Sequence, residues 1–555
     1  MSEQLAAAKS GPSGNRGCLS GLRFMAPGTP PPHDGVVYRS RNAVLVIGES
    51  AATVDAAREL VKRAPKLRIA LFVPGASALT DLPSNISAVG GRIDSLQGYL
   101  GKFSASVWVA VDKVEDAGIF SANADRYFDL VLDLRREPQF SQAVPPYGYY
   151  APGSDAAALL RAFDSMAQLS GDFHKQKYFE YRPQLCTHGA KGVAGCTRCL
   201  SVCDAAAIRS VSEKIEVDPY LCQGCASCTL ACPTGALSFS QPTPKTLERE
   251  LNELLVASAP DADAHFLVVH DAASRHVLSA IDITGFHLLE VNPLAAFSDL
   301  LWLAALRGGM SGVVLVMAPA TPPHGRKLIE QKLSELRAIL VGIGRDPAML
   351  QLTDPMKLAV TIDQLKRGAP PRAHAVAVTG NASDEKRVSF LAAVDAITRD
   401  GEVTGRLNAG VAEPVALAPG AGFGNVLVDT EKCTLCHACT HLCPTGALSG
   451  QMDPVPALFF TESLCVQCNL CRAGCPEKAI TLQARFLPDA VQRGRSRELA
   501  RDQLVPCNKC GTPFMGQRKL AASLALMQDF AKDMPGGIDS LRMCPSCRQR
   551  ETMMG

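Results

Sequence analysis

At 555 residues the chain is too long for one hydrophobic core, and a hydrophobic share of 47% against 20% charged residues excludes wholesale disorder. A formal net charge of +2 gives no electrostatic basis for binding nucleic acid, an anionic membrane surface or an acidic partner. Twenty-one cysteines, crowded at two- and three-residue gaps, point to metal sites in a reducing compartment and away from a secreted disulfide framework.

Residues 1–41 are rich in Gly, Pro, Ser and Ala and read as a flexible leader, in which Cys18 stands alone. They hold no apolar signal segment and no twin arginine, and no window along the chain approaches a membrane span. A soluble, cytoplasmic protein is expected. Residues 42–180 read as a Rossmann-like α/β domain, with strands at 43–47, 68–73, 105–111 and 128–134 and a helix at 51–63. Gly48 is one glycine where a dinucleotide fingerprint needs three, so a structural or docking domain is favoured, although a helix opening at Ser50 can hold an anion. Pro145 to Tyr150 read as a surface loop, and a helix over 155–169 leads to the first cysteine module.

That module, residues 181–241, contains Cys222, Cys225, Cys228 and Cys232 followed by Pro233, a C-x2-C-x2-C-x3-C-P run with the spacing of bacterial two-cluster ferredoxins. A cubane [4Fe–4S] cluster needs one thiolate per iron, and a short loop wraps only three corners. The fourth cysteine opens the next helix and ligates the other cluster of the pair. The partner run is irregular: Cys186, a nine-residue gap, then Cys196, Cys199 and Cys203, with Asp204 in place of proline. Exchange gives Cys186, Cys196, Cys199 and Cys232 to one cluster and Cys222, Cys225, Cys228 and Cys203 to the other. For Cys186, displaced by the insertion, His188 is the alternative ligand; otherwise His188 is expected to sit exposed in the loop.

After a connecting helix at 246–256, residues 246–352 read as a second α/β domain, with strands at 266–270, 287–291 and 312–317 and helices at 295–306 and 327–340. The runs at 289–293, 305–316 and 340–344 resemble the small iron–sulfur (delta) subunit of methyl-viologen-reducing hydrogenases. That family partners heterodisulfide reductase and carries a [2Fe–2S] cluster on cysteines. Here no cysteine lies between Cys232 and Cys433, and residues 317–324, ending in His324, replace the cysteine-bearing turn. The resemblance implies a retained docking scaffold without that cluster. Residues 353–424 form a mixed region with a helix at 388–398. Its Gly420, Gly422 and Gly424 precede a strand and read as a turn, because no helix follows to receive phosphate.

The second module, residues 425–490, holds two full copies of the ferredoxin run. Exchange assigns Cys433, Cys436, Cys439 and Cys475 to one cluster, and Cys465, Cys468, Cys471 and Cys443 to the other. His437 and His441 flank one of these sites and Arg472 the other, which allows pH-dependent tuning, although histidines so placed are more often simply exposed. In residues 500–555, Cys507 and Cys510 with Cys544 and Cys547 make two C-x2-C knuckles around a helix at 519–532. A tetrahedral S4 site suits zinc, with a single iron as the alternative.

Residues 176–181, 195–200, 507–514 and 544–547 resemble multi-cluster ferredoxin-like proteins found with molybdenum- or tungsten-dependent formate dehydrogenases of proteobacteria. The expected fold class is therefore α/β and α+β multidomain: a Rossmann-like domain, two ferredoxin-like 2[4Fe–4S] modules, a second α/β domain and a C-terminal four-cysteine knuckle. Four [4Fe–4S] clusters and one zinc (or single iron) are expected, serving electron transfer to redox protein partners such as a formate dehydrogenase or a heterodisulfide-reductase-like complex. No catalytic residue is identified. An assembly or scaffold factor for a molybdenum or tungsten enzyme is the alternative.

Overall fold

The computed structural model describes residues 23–24, 35–74, 79, 81–110, 112–257, 266–367, 385–400, 413–528 and 537–554. Cys18, most of the leader and part of the expected 519–532 helix lie outside them. Among the described residues no helix is long and apolar enough to cross a membrane.

The first α/β unit is a five-stranded parallel sheet. Its centre is Ala43–Ile47, buried along its whole length, as parallel strands covered on both faces must be. Helix Ala51–Arg63 packs on it through Leu60, Ala57 and Val54, which share one face at helical spacing. Three expectations are corrected here. The strand expected at 105–111 is Ser104–Ala110, and it belongs to a separate three-stranded antiparallel sheet. Its alternating burial leaves one face wet, which suits antiparallel pairing. The Pro145 to Tyr150 segment is no surface loop: Tyr147, Tyr149 and Tyr150 are buried, and Tyr149–Tyr150 is the edge strand beside Leu130–Asp133. The leader also ends earlier than its composition implies, because Gly35–Ser40 is a strand paired antiparallel with Gly171–Gln176.

The middle unit is a four-stranded parallel sheet in the order Phe286–Glu290, Phe266–His270, Gly312–Val316, Leu350–Thr353. Helices Asp299–Arg307 and Pro323–Gly342 cover it. The last strand, not foreseen in the sequence, closes the stretch read as 246–352, and the following helix, Leu358–Arg367, lies in the stretch read from sequence as mixed. Helix Lys386–Asp400 packs on Asp299–Arg307 through Phe390, Ala393, Val394 and Ile397. Those residues share one apolar core with Trp302 of the middle unit, Leu230 of the first cysteine module and Phe423 and Phe486 of the second. Each fully buried Leu, Val or Phe there contributes about 1.5–3 kcal/mol. Both cysteine modules are thereby seated on the middle unit.

Each cysteine module consists of short helices and β-hairpins. In the first, Phe179–Tyr181 pairs with Leu237–Phe239, and Ile208–Val211 with Lys214–Val217. In the second, Gly424–Val428 pairs with Ile480–Phe486, and Leu448–Gln451 with Ala457–Phe460. The turn reading of 420–424 agrees with the strand that begins at Gly424.

Candidate metal centres

All twenty described cysteines are free. The regular C-x2-C-x2-C loops share one backbone solution. The residue before the second cysteine and the residue after it both take left-handed φ: Gly224 and Ala226, Leu435 and His437, Gln467 and Asn469. Such angles are costly for non-glycine residues and persist only where the surroundings enforce them. They curl the loop so that its cysteines converge. Main-chain and side-chain N–H groups also reach sulfur: Ala207 N donates to Cys203 Sγ at 3.2 Å, Ala479 N to Cys475 Sγ at 3.4 Å and Gln467 Nε2 to Cys465 Sγ at 3.4 Å.

The irregular loop is closed by other means. Residues 187–195 form a small hairpin, Gly189–Ala190 against Val193–Ala194, and Cys196 N donates to Thr187 O at 3.1 Å. The insertion thus returns the chain to its starting point, and Cys186 and Cys196 meet. His188 is buried, not exposed as the sequence suggested. Its Nδ1 pairs with Cys196 O at 2.8 Å and its Nε2 with Ser210 Oγ at 2.7 Å, which leaves no ring nitrogen for a metal.

Cys186, Cys196, Cys199 and Cys232 line one cavity. Cys433, Cys436, Cys439 and Cys475 line another, walled by Leu435, Leu458 and Ile480. The remaining eight fall into two groups by the charge each sulfur feels. Burial raises the Cys228 thiol well above its ordinary pKa, and repulsion from Cys225, Cys222 and Cys203 adds to it. Burial likewise raises Cys471, with Cys465, Cys468 and Cys443 adding. Cys199 and Cys439 are each pushed up to about 12 by burial and then by the other cysteines of their own groups. Four thiols that oppose one another's ionisation form a donor set that a cationic iron–sulfur core neutralises, so the residues fit such a group.

Sulfurs of neighbouring groups also feel one another's charge: Cys199 is among those acting on Cys228, Cys439 acts on Cys471, and Cys196 acts on Cys468, which burial chiefly pushes up to about 11. These pairs order the groups as that of Cys222, that of Cys186, that of Cys465 and that of Cys433.

At the carboxy terminus the sulfurs of Cys507, Cys510, Cys544 and Cys547 all lie within 4.8 Å of one another. Burial opposes ionisation of Cys507, but N–H groups of Cys544, Cys510 and Lys509 outweigh it and bring the thiol down to about 6. Such a thiol is ready to be a metal ligand.

Sequence reasoning missed the buried and half-buried cations around these groups. Lys175, 1% exposed, donates to Pro219 O (2.6 Å), Tyr220 O (3.3 Å) and Cys222 O (2.5 Å), and it lies over the rings of Tyr38 and Tyr147. Lys386 donates to Thr229 O, Leu230 O and Cys232 O, each at 3.1 Å. Arg387 donates to Ser463 O, Gly422 O and Cys465 O at 3.0, 2.7 and 2.6 Å. A lysine on the inward face of a strand was the one available signal.

Asp204, where the ferredoxin proline is missing, is buried. Its carboxylate accepts from the backbone N–H groups of His324 and Gly325, both at 3.2 Å, and pairs with His324 Nδ1 at 2.8 Å. His324 is thus an interdomain contact. His437 is half-buried and lines the Cys433 cavity, instead of lying exposed. At the amino-terminal turn that could hold an anion, the Thr53 side chain already fills the space beside Gly48.

Comparison with known families assigns two stretches. Residues 432–480 match a 4Fe-4S dicluster domain and residues 214–237 a 4Fe-4S binding domain. No curated protein matches the chain. The chain carries two 4Fe-4S ferredoxin-type domains, those of an iron–sulfur protein.

Proposed function

We propose that this protein is an electron carrier with four [4Fe–4S] clusters, working as a subunit or partner of a cytoplasmic oxidoreductase. What supports this is the match of residues 432–480 and 214–237 to 4Fe-4S domains, together with the two cavities that Cys186, Cys196, Cys199 and Cys232 and Cys433, Cys436, Cys439 and Cys475 line. The ligand sets would be Cys222, Cys225, Cys228 and Cys203; Cys186, Cys196, Cys199 and Cys232; Cys465, Cys468, Cys471 and Cys443; and Cys433, Cys436, Cys439 and Cys475. Each cluster, when bound, supplies one-electron uptake and release. The chain contributes apolar walls that exclude water, N–H groups aimed at sulfur, and cations on the carbonyls of Cys222, Cys232 and Cys465. Cys507, Cys510, Cys544 and Cys547 would hold a structural zinc, or a single iron. The resemblance of residues 176–181 and 507–514 to formate-dehydrogenase-associated proteins favours such a complex as partner, with a heterodisulfide-reductase-like complex next.

Anaerobic reconstitution tests the reading. Cys468→Ala should lose about one quarter of the iron and acid-labile sulfide. Dithionite should bleach what remains, and air should restore the colour. An unchanged iron content rejects the assignment of Cys468. Clusters that never change oxidation state would turn the reading towards the assembly-factor alternative. Separately, Cys507→Ala should release the knuckle metal and leave the dithionite-bleachable absorbance intact, as measured by elemental analysis.

A further inference from the structure

The insertion that displaces Cys186 packs against the other cysteine module. Gly195 lies so close to Leu470 that an added Cβ would sit 2.6 Å from Leu470 Cγ, and Val193 packs over Gly474. Three residues on, Arg198 reaches across the same boundary. Its guanidinium donates to Val466 O (3.0 Å), Gln467 O (3.3 Å), Ala421 O (3.0 Å) and Gly420 O (3.3 Å). The Lys386–Asp400 helix grips from the other side, with consecutive side chains bound to different modules: Lys386 to Cys232 O and Arg387 to Cys465 O. Charge-assisted bonds to carbonyls that would otherwise be buried unpaired are among the stronger and more directional contacts available. Val466 O, Gln467 O and Cys465 O belong to the loop of Cys465 and Cys468, Cys232 O closes the first module, and Gly420 O and Ala421 O belong to the turn that leads into the second.

We propose that the 187–195 insertion, Arg198 and the Lys386–Arg387 pair form a rigid junction. It holds the Cys186 group against the Cys465 group and fuses two ferredoxin modules into one unbroken array of four sites. Arg198 and Gly195 act as positioning residues. The inference rests on the reading of the cysteines as cluster ligands, and it explains why the first module departs from regular spacing at this one place. A regular C-x2-C-x2-C loop has no hairpin with which to meet the Leu470–Ala473 helix.

The test uses the full chain carrying Cys228→Ser and Cys439→Ser, which removes a ligand from each outer group. The dithionite-reduced protein should give an electron paramagnetic resonance spectrum split by interaction between the two remaining sites. Adding Arg198→Ala or Gly195→Ile should preserve the iron content and abolish the splitting. Amide exchange at residues 420–422 and 463–468 should rise about tenfold in Arg198→Ala and Gly195→Ile, with or without metal. A spectrum of isolated sites in the parent, or splitting and exchange unchanged in both variants, would overturn the junction. Wild-type protein without iron would instead defeat the cluster reading, and the exchange measurement would still decide the junction.

Discussion

Lys175→Met should destabilise the folded chain by about 3 kcal/mol, since it strands buried carbonyls that have no replacement donor. Tyr220 O keeps the Tyr38 hydroxyl at 2.5 Å, but Pro219 O and Cys222 O lose the Lys175 Nζ. The variant also loses the cation from over the Tyr38 and Tyr147 rings. A chemical-denaturation midpoint measures the loss, and iron should escape first from the Cys222 group. The pH response separates this lysine from its neighbours. Burial, against weaker opposition from Cys222 and Asp218, lowers the Lys175 pKa from 10.5 to about 8. Between those values the unfolded chain binds more protons than the folded one, so wild-type stability gains from rising pH there. The methionine variant should lack that increment, and the difference between the two curves isolates it from the titration of thiols.

Asp204→Pro, which restores the regular ferredoxin residue, should destabilise the protein by about 2 kcal/mol, contrary to what the motif alone would suggest. The Asp204 carboxylate caps the twenty-residue helix Pro323–Gly342 from another part of the chain, taking the N–H groups of His324 and Gly325. That helix opens with proline and has no side-chain cap of its own. Its N-terminal donors and positive dipole end therefore depend on Asp204. Asp204→Asn should recover much of the loss, because an amide oxygen still accepts one bond. Thermal unfolding of the three proteins gives the comparison, and a proline variant as stable as wild type would deny the cap its role.

These two residues also show where a single sequence stops being readable. The cysteine groups were legible because ligand spacing is local: two residues between thiols fix the reach of a loop whatever lies around it. The hairpin that brings the chain after Cys186 back to Cys196 could not be foreseen. Helix Ala51–Arg63 and the apolar run at Ala43–Ile47 were legible from periodicity. Asp204 and His324, 120 positions apart, carry no mutual signal. Lys175, Lys386 and Arg387 look like solvated charges until the fold encloses them. Ser104–Ala110 was read as a parallel strand because β-rich runs do not announce their partners. The tyrosines at 147–150 were assigned to the surface on the strength of neighbouring proline and glycine, yet their rings fill the core of the first α/β unit.

The gap between Cys232 and Lys386 has a consequence for biogenesis. The ammonium that finally caps the carbonyl of Cys232 lies 154 residues downstream. Ribosomes release polypeptide from the amino terminus, so the first set of thiols emerges long before its clasp exists. Until then the carbonyls of Thr229, Leu230 and Cys232 have only water in place of that ammonium, so this part of the first module settles only after the Lys386–Asp400 helix has been made.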